Sequence, residues 1–242
     1  MANETGDMKI LGNFRRLIDL VTPSSPYTPT NLALTIANME ALLAAATLAV
    51  NDIGVKIAPN KIAIDERQAA YLEVKSLVRG SRSMLKASGA SQAIVDDADT
   101  FARKVLGLRK SPKAVDDPNT PENEALQSHS ASQQSYDAML GNFRTYIEIL
   151  KNEPQYAPNE LKYQTAELEK VADELVVKNN AVSSTFVPLN NARSVREDKL
   201  YTGENNICDV AAMVKAYIKA VHGPQSDLYK QVNALSFKRT FR

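Results

Sequence analysis

Leu11-Gly12-Asn13-Phe14-Arg15 recurs as Leu140-Gly141-Asn142-Phe143-Arg144, 129 residues further along the chain. The match runs past the pentapeptide. At the same offset Ile18 meets Ile147, and Tyr27, Pro29 and Leu32 meet Tyr156, Pro158 and Leu161. Nine of the 22 residues from 11 to 32 are identical without a gap. Unrelated stretches of that length share about one residue at ordinary frequencies. The offset still holds at Pro59/Pro188, Ala63/Ala192 and Arg67/Arg196, after which the register shifts so that Gly89 answers Gly223. The chain therefore reads as a tandem duplication, and a repeat of this kind governs the fold.

Apolar residues follow the helical period. Leu32, Ile36, Met39, Leu43, Ala46, Val50, Ile53 and Ile57 are spaced 4,3,4,3,4,3,4, a heptad seam. The second copy reads Leu161, Thr165, Leu168, Ala172, Leu175, Asn179, Val182 and Phe186, with polar residues at Thr165 and Asn179. A preceding helix carries Ile10, Phe14, Leu17 and Val21, matched by Met139, Phe143, Tyr146 and Leu150. A third is expected through Ile64, Tyr71, Val74, Val78 and Leu85, matched by Ile207, Val210, Val214, Tyr217 and Val221. A short fourth follows Gly89, with Ile94, Ala98, Phe101 and Val105. No period-two run argues for a sheet.

The punctuation suggests where these helices begin and end. Thr28-Pro29 reads as N-cap and first helical residue, and Pro158 repeats it. Pro59 and Pro188 are expected at turns between the second and third helices. Gly89 and Gly223 sit where a helix C-terminus favours a left-handed residue. The expected fold is all-α, a tandem duplication of an antiparallel up-down bundle of about four helices. Repeat 1 covers residues 1–107 and repeat 2 covers 131–242. Between them lies the Leu108–Ser130 linker, rich in Ser, Pro and Asp.

Composition narrows function mainly by exclusion. Net charge is +1 and the pI about 7.7, so no global field gathers nucleic acid or an anionic membrane. The longest uncharged apolar candidate, Ala41–Val50, is short for a membrane span, and the opening residues lack a secretory leader's pattern. One cysteine, Cys208, leaves no intrachain disulfide and fits a reducing compartment. A cytoplasmic protein without a membrane partner is expected.

Chemical motifs are sparse. His129 and His222 are the two histidines, and neither lies in a metal-binding spacing. Asp96, Asp97 and Asp99 read as a solvated face, without the glycine turn of a hard-cation loop. No nucleophile elbow, phosphate loop or dinucleotide fingerprint occurs, so catalytic residues, cofactors and metals are expected to be none. In the pentapeptide, Phe14 and Phe143 read as core anchors and the glycine as a close packing point. Arg67 and Arg196 read as partners of a neighbouring helix or as an anion site. Tyr27 and Tyr156 precede helix starts and are suited either to holding a partner or to closing a bundle end. The segment 233–242 ends in Phe237, Lys238, Arg239, Phe241 and Arg242. Such an arm docks on another subunit, tracks phosphates, or folds back on its own bundle.

The pentapeptide, Tyr156-Ala-Pro-Asn-Glu160, Ser132-Gln-Gln-Ser-Tyr-Asp137 and the basic Phe-Lys-Arg end together resemble a family of bacterial proteins built from tandem helical repeats. The resemblance spans nearly the whole chain and implies no activity, cofactor or site. The sequence thus predicts a non-enzymatic structural, self-assembling or protein-interaction role, with the chain itself as partner. The alternative is a helical module binding a small ligand, or nucleic acid through the basic arm; nucleic acid is the less expected partner.

Overall fold

The computed structural model describes residues 6–108 and 134–238, and every regular element within them is helical. The elements are α1 (Asp7–Val21), α2 (Ile36–Ala87), α3 (Gln92–Leu106), α4 (Tyr136–Lys151), α5 (Thr165–Glu197), α6 (Ile207–His222) and α7 (Asp227–Ala234). Short 3-10 turns at Leu32–Leu34 and Leu161–Tyr163 precede α2 and α5, and a π turn at Asp198–Thr202 follows α5. Ser91, Ser135, Asn206 and Ser226 cap α3, α4, α6 and α7, each side chain accepting from a backbone N–H of the first turn.

Two compact units form, and neither follows the repeat boundaries. The first joins Met1–Lys61 with Thr185–Arg242, and the second is Ile62–Ser184. The core of the first unit packs Phe14, Leu17 and Val21 of α1 with Met39, Leu43 and Ala46 of α2. Val210, Val214 and Ile218 of α6 and Val232 of α7 complete it. The core of the second packs Tyr71, Val74, Val78 and Leu85 of α2, Ala98, Ala102 and Val105 of α3, Phe143, Tyr146 and Leu150 of α4, and Leu168, Ala172 and Leu175 of α5. The expected division at residues 107 and 131 is therefore not the one that the packing draws. Each core takes helices from both halves of the sequence.

The prolines explain the difference. Pro59 lies inside the 52-residue α2 and Pro188 inside the 33-residue α5, where turns were expected. A mid-helix proline removes one ladder bond and crowds the carbonyl four residues earlier. Packing on both sides holds the helix regardless: Ala46 and Ala49 are buried before Pro59, and Ala63 after it. Beside Pro59 the buried Asn60 donates to Thr185 Oγ1 at 3.1 Å. Because α2 continues, the chain from Ile62 to Ser184 joins the other core, and from Thr185 it returns to the first.

Other local expectations also change. Thr28-Pro29 and Pro158 begin no helix, since α2 and α5 start at Ile36 and Thr165, after the 3-10 turns. The heptad seam is buried in the middle and leaves the core at its ends, with Leu32 73% and Phe186 48% exposed. Leu32 lies in the 3-10 turn outside α2, and along α5 a strict seven-residue repeat drifts by about 20° per heptad, which turns Phe186 away. Phe14 and Phe143 are fully buried as anchors, but Gly12 and Gly141 are not packing points: a Cβ at either meets nothing within 4 Å. Gly89 and Gly223 do have positive φ, +87° and +83°, at the ends of α2 and α6. Leu108 apart, the expected linker lies outside the described residues.

The matched segments keep their register until the π turn. Val74, Val78, Ser81 and Leu85 in the second unit are buried like Ile207, Ala211, Val214 and Ile218 in the first. Their offset is 133 (207 less 74) rather than 129, so four residues enter between Tyr201 and Ile207. The π turn, closed by Gly203 N–H donating to the Asp198 carbonyl at 2.9 Å, and the Gly203–Asn206 loop accommodate them.

Candidate functional site

The two matched arginines sit in contrasting environments. Arg196 donates from Nη1 to both oxygens of Asp7, at 3.3 and 3.1 Å, and the Tyr201 hydroxyl donates to the same carboxylate at 2.7 Å. Asp7 opens α1, where a carboxylate also suits the helix dipole. In the second unit the residue matching Asp7 is Tyr136, the first residue of α4. Arg67 stacks over its ring with Cζ 4.0 Å from the centroid. Tyr71 packs edge-on to Tyr136 and donates to its carbonyl at 2.8 Å. The half-buried Asn179, the polar seam residue, donates to the Tyr71 hydroxyl at 3.1 Å and to Asp137 at 3.2 Å. Both arginines therefore act as structural nodes under a helix start, one through an ion pair and one through an aromatic ring.

Tyr27 and Tyr156 make matching bonds. Tyr27 donates to the Leu34 carbonyl at 2.7 Å, and Tyr156 to the Tyr163 carbonyl at 2.8 Å. Each hydroxyl ties the loop to the 3-10 turn that leads into the long helix. Burial, reinforced for Tyr27 by the Tyr217 charge, pushes both phenols up to about 12. For Tyr156 the Tyr163 charge works in the same direction as burial.

No family model, curated protein or solved structure matches this chain.

The C-terminal segment is engaged within its own unit as far as it is described. Asn13 donates to the Ser236 carbonyl at 2.8 Å, and the Phe237 ring stands edge-on to Phe14 with centroids 6.4 Å apart. Lys215 lies over the Phe237 ring at 5.3 Å and also bonds the Asn233 and Leu235 carbonyls at the end of α7. Burial lowers the Lys215 pKa. Lys238 is exposed, while Arg239, Phe241 and Arg242 lie outside the described residues.

Metal ligands are not clustered among the described residues. No group of three His, Cys, Asp or Glu side chains could hold a metal ion there. Cys208 is buried in the core of the first unit. Asp99 is not a merely solvated acid, since Arg82 holds it through two hydrogen bonds and Lys86 lies at 3.5 Å. The Arg82 bonds and charge keep its carboxyl below the usual range despite burial. A groove of about 360 Å³ beside α4 is lined by Arg144, Glu148, Glu169 and Asp173. Three of these charges are paired, Arg144 with Asp173 at 3.0 Å and Glu169 with Lys151 at 2.6 Å.

One feature of α2 escaped the sequence reading. Besides its buried seam, the part of α2 in the first unit carries an outer row at Ala41, Ala44, Leu48, Asn51, Val55 and Ala58. All six are exposed, Leu48 and Val55 at 70% and 71%. The spacing is again 3,4,3,4,3. The signal was available: two interleaved seams make this helix apolar on both sides. By length and composition alone α2 is also apolar enough to cross a membrane, yet only 17% of its most apolar 18-residue window is buried.

Proposed function

We propose that the chain is a non-enzymatic helical scaffold, duplicated from one helical plan, whose partner is a second copy of itself. The observation that carries this reading is the outer row of α2. At the 129-residue offset the same six positions of α5 are Lys170, Asp173, Val177, Asn180, Ser184 and Val187, and all of these are exposed as well. The related helix thus keeps its core residues and has a mostly polar outer face. Folding does not require the outer face of α2 to be apolar, which leaves association as the reason for it.

The pattern fits a helix better than lipid. Alanine at half of the row permits close approach, and leucine and valine fill the spaces between. Asn51 within the row is both donor and acceptor, so it pairs with its own counterpart across a twofold contact. The row carries no charge, so like faces do not repel. Asp52 and Lys56 form an ion pair along the same helix, a common flank for a helix contact and a costly one in hydrocarbon. Light scattering coupled to size exclusion tests the proposal. The chain is expected to form a discrete oligomer at high concentration, and Leu48→Glu/Val55→Glu to run as a folded monomer. A wild-type chain that stays monomeric at the highest concentration reached overturns it.

A further inference from the structure

The loops around Tyr27 and Tyr156 are covered differently by the helix above each. In the first unit Tyr217 of α6 reaches across to the loop. Its ring stands edge-on to Tyr27 with centroids 5.3 Å apart, and its hydroxyl accepts from the Thr28 N–H at 3.0 Å. The offset of 133 that aligns the buried residues of these helices pairs Tyr217 with Met84. Methionine brings neither a ring nor a hydroxyl. Ala157, which matches Thr28, turns its N–H onto the Gln155 carbonyl at 3.1 Å instead. Where the first unit has a tyrosine ring, the second has an open cleft of about 220 Å³, bounded by Met84, Ala87, Ser88, Tyr156 and Pro158.

We propose that this cleft binds a phenolic ring, either the side chain of a tyrosine presented by a peptide or a free phenol. The first unit supplies the template for the ring, an aryl group edge-on to the loop tyrosine, while in the second unit the loop amide is already bonded to Gln155. The walls suit such a guest. The Tyr156 ring takes an edge-on partner, and the Met84 thioether makes favourable contact with an aromatic edge. Ala87 and Pro158 are apolar, while Ser88 offers the hydroxyl a partner. The inference is independent of the self-association proposed above, because Met84 and Tyr156 lie in the second unit and the outer row of α2 in the first.

The test is NMR on the full chain with labelled methionine methyls, the Met84 signal being assigned by its loss in Met84→Leu. N-acetyl-tyrosinamide, p-cresol and N-acetyl-leucinamide are the probes. The expected result is a saturable shift of the Met84 methyl with the phenolic probes and none with the leucine derivative. A response to p-cresol alone identifies a free phenol as the guest, and a tighter response to the tyrosine derivative identifies a peptide. Met84→Tyr rebuilds the arrangement of the first unit, so it fills the cleft. In that variant the tyrosine signals of the loop are expected to stop responding. No saturable shift with either phenol, an equal response to leucine, or undiminished binding in Met84→Tyr overturns the proposal.

Discussion

Hydroxyls and carboxylates at a few loop and helix-start positions decide how the chain enters its helices. Tyr27 and Tyr156 each bond the backbone carbonyl seven positions further on, and each is held protonated to about pH 12 by burial above all. A phenol with a folded pKa above the unfolded value, about 10, contributes stability that is complete below pH 10 and lost as pH rises towards 12. Removing both hydroxyls in Tyr27→Phe/Tyr156→Phe is expected to cost about 2 kcal/mol at neutral pH, roughly 1 for each bond. The variant should then lose less stability than wild type between pH 10 and 12. Urea denaturation across that range is the measurement, and parallel alkaline profiles would refute the assignment. Asp99 behaves in the opposite sense. Its folded pKa is depressed by Arg82, so the pair's contribution is present above the unfolded carboxylate range and disappears as acid protonates the folded form. Asp99→Asn is expected to lower neutral stability and to flatten the acid limb of the same profile.

At the scale of the element, the sequence showed helix type clearly and helix ends poorly. The buried middles of both long seams, Met39 to Ala46 and Leu168 to Leu175, were legible because burial enforces a 3.6-residue period. Pro59 and Pro188 were misread because proline chemistry alone cannot tell a turn from a tolerated gap in a well-packed helix. Gly12 and Gly141 were misread for a similar reason, since a repeated glycine suggests close approach while these two face open space. Gly80 shows the contrast: a Cβ there would lie 2.3 Å from the Tyr163 hydroxyl oxygen. Substitution separates these cases. Pro59→Ala restores a ladder bond within α2 and should stabilise the chain by about 1–3 kcal/mol, and Gly12→Ala by about 0.5–1. Thermal denaturation reads both. Destabilisation by Pro59→Ala would mean that proline is needed to turn the chain, as the sequence first suggested.

At the scale of the whole chain, the sequence match at an offset of 129 and the division into cores follow different boundaries. Residues 1–107 contain α1, α2 and α3, but these serve two different cores. Alone, that fragment leaves Phe14, Leu17 and Val21 without Val210, Val214 and Ile218 of α6. It also leaves Val74, Val78 and Leu85 without Phe143, Tyr146 and Leu150 of α4. Burying a side chain of this size contributes about 1.5–3 kcal/mol, and a single domain's net stability is only about 5–15 kcal/mol. A handful of missing partners therefore removes the cooperative fold. Fragments 1–107 and 134–242 are each expected to lack a cooperative thermal transition. Mixed, they should form a 1:1 complex that regains one, because each contributes the half-cores that the other lacks. Circular dichroism and light scattering follow both steps. If 1–107 instead melts cooperatively as a monomer, its helices pack on one another, and the mixed cores are not what holds this chain together.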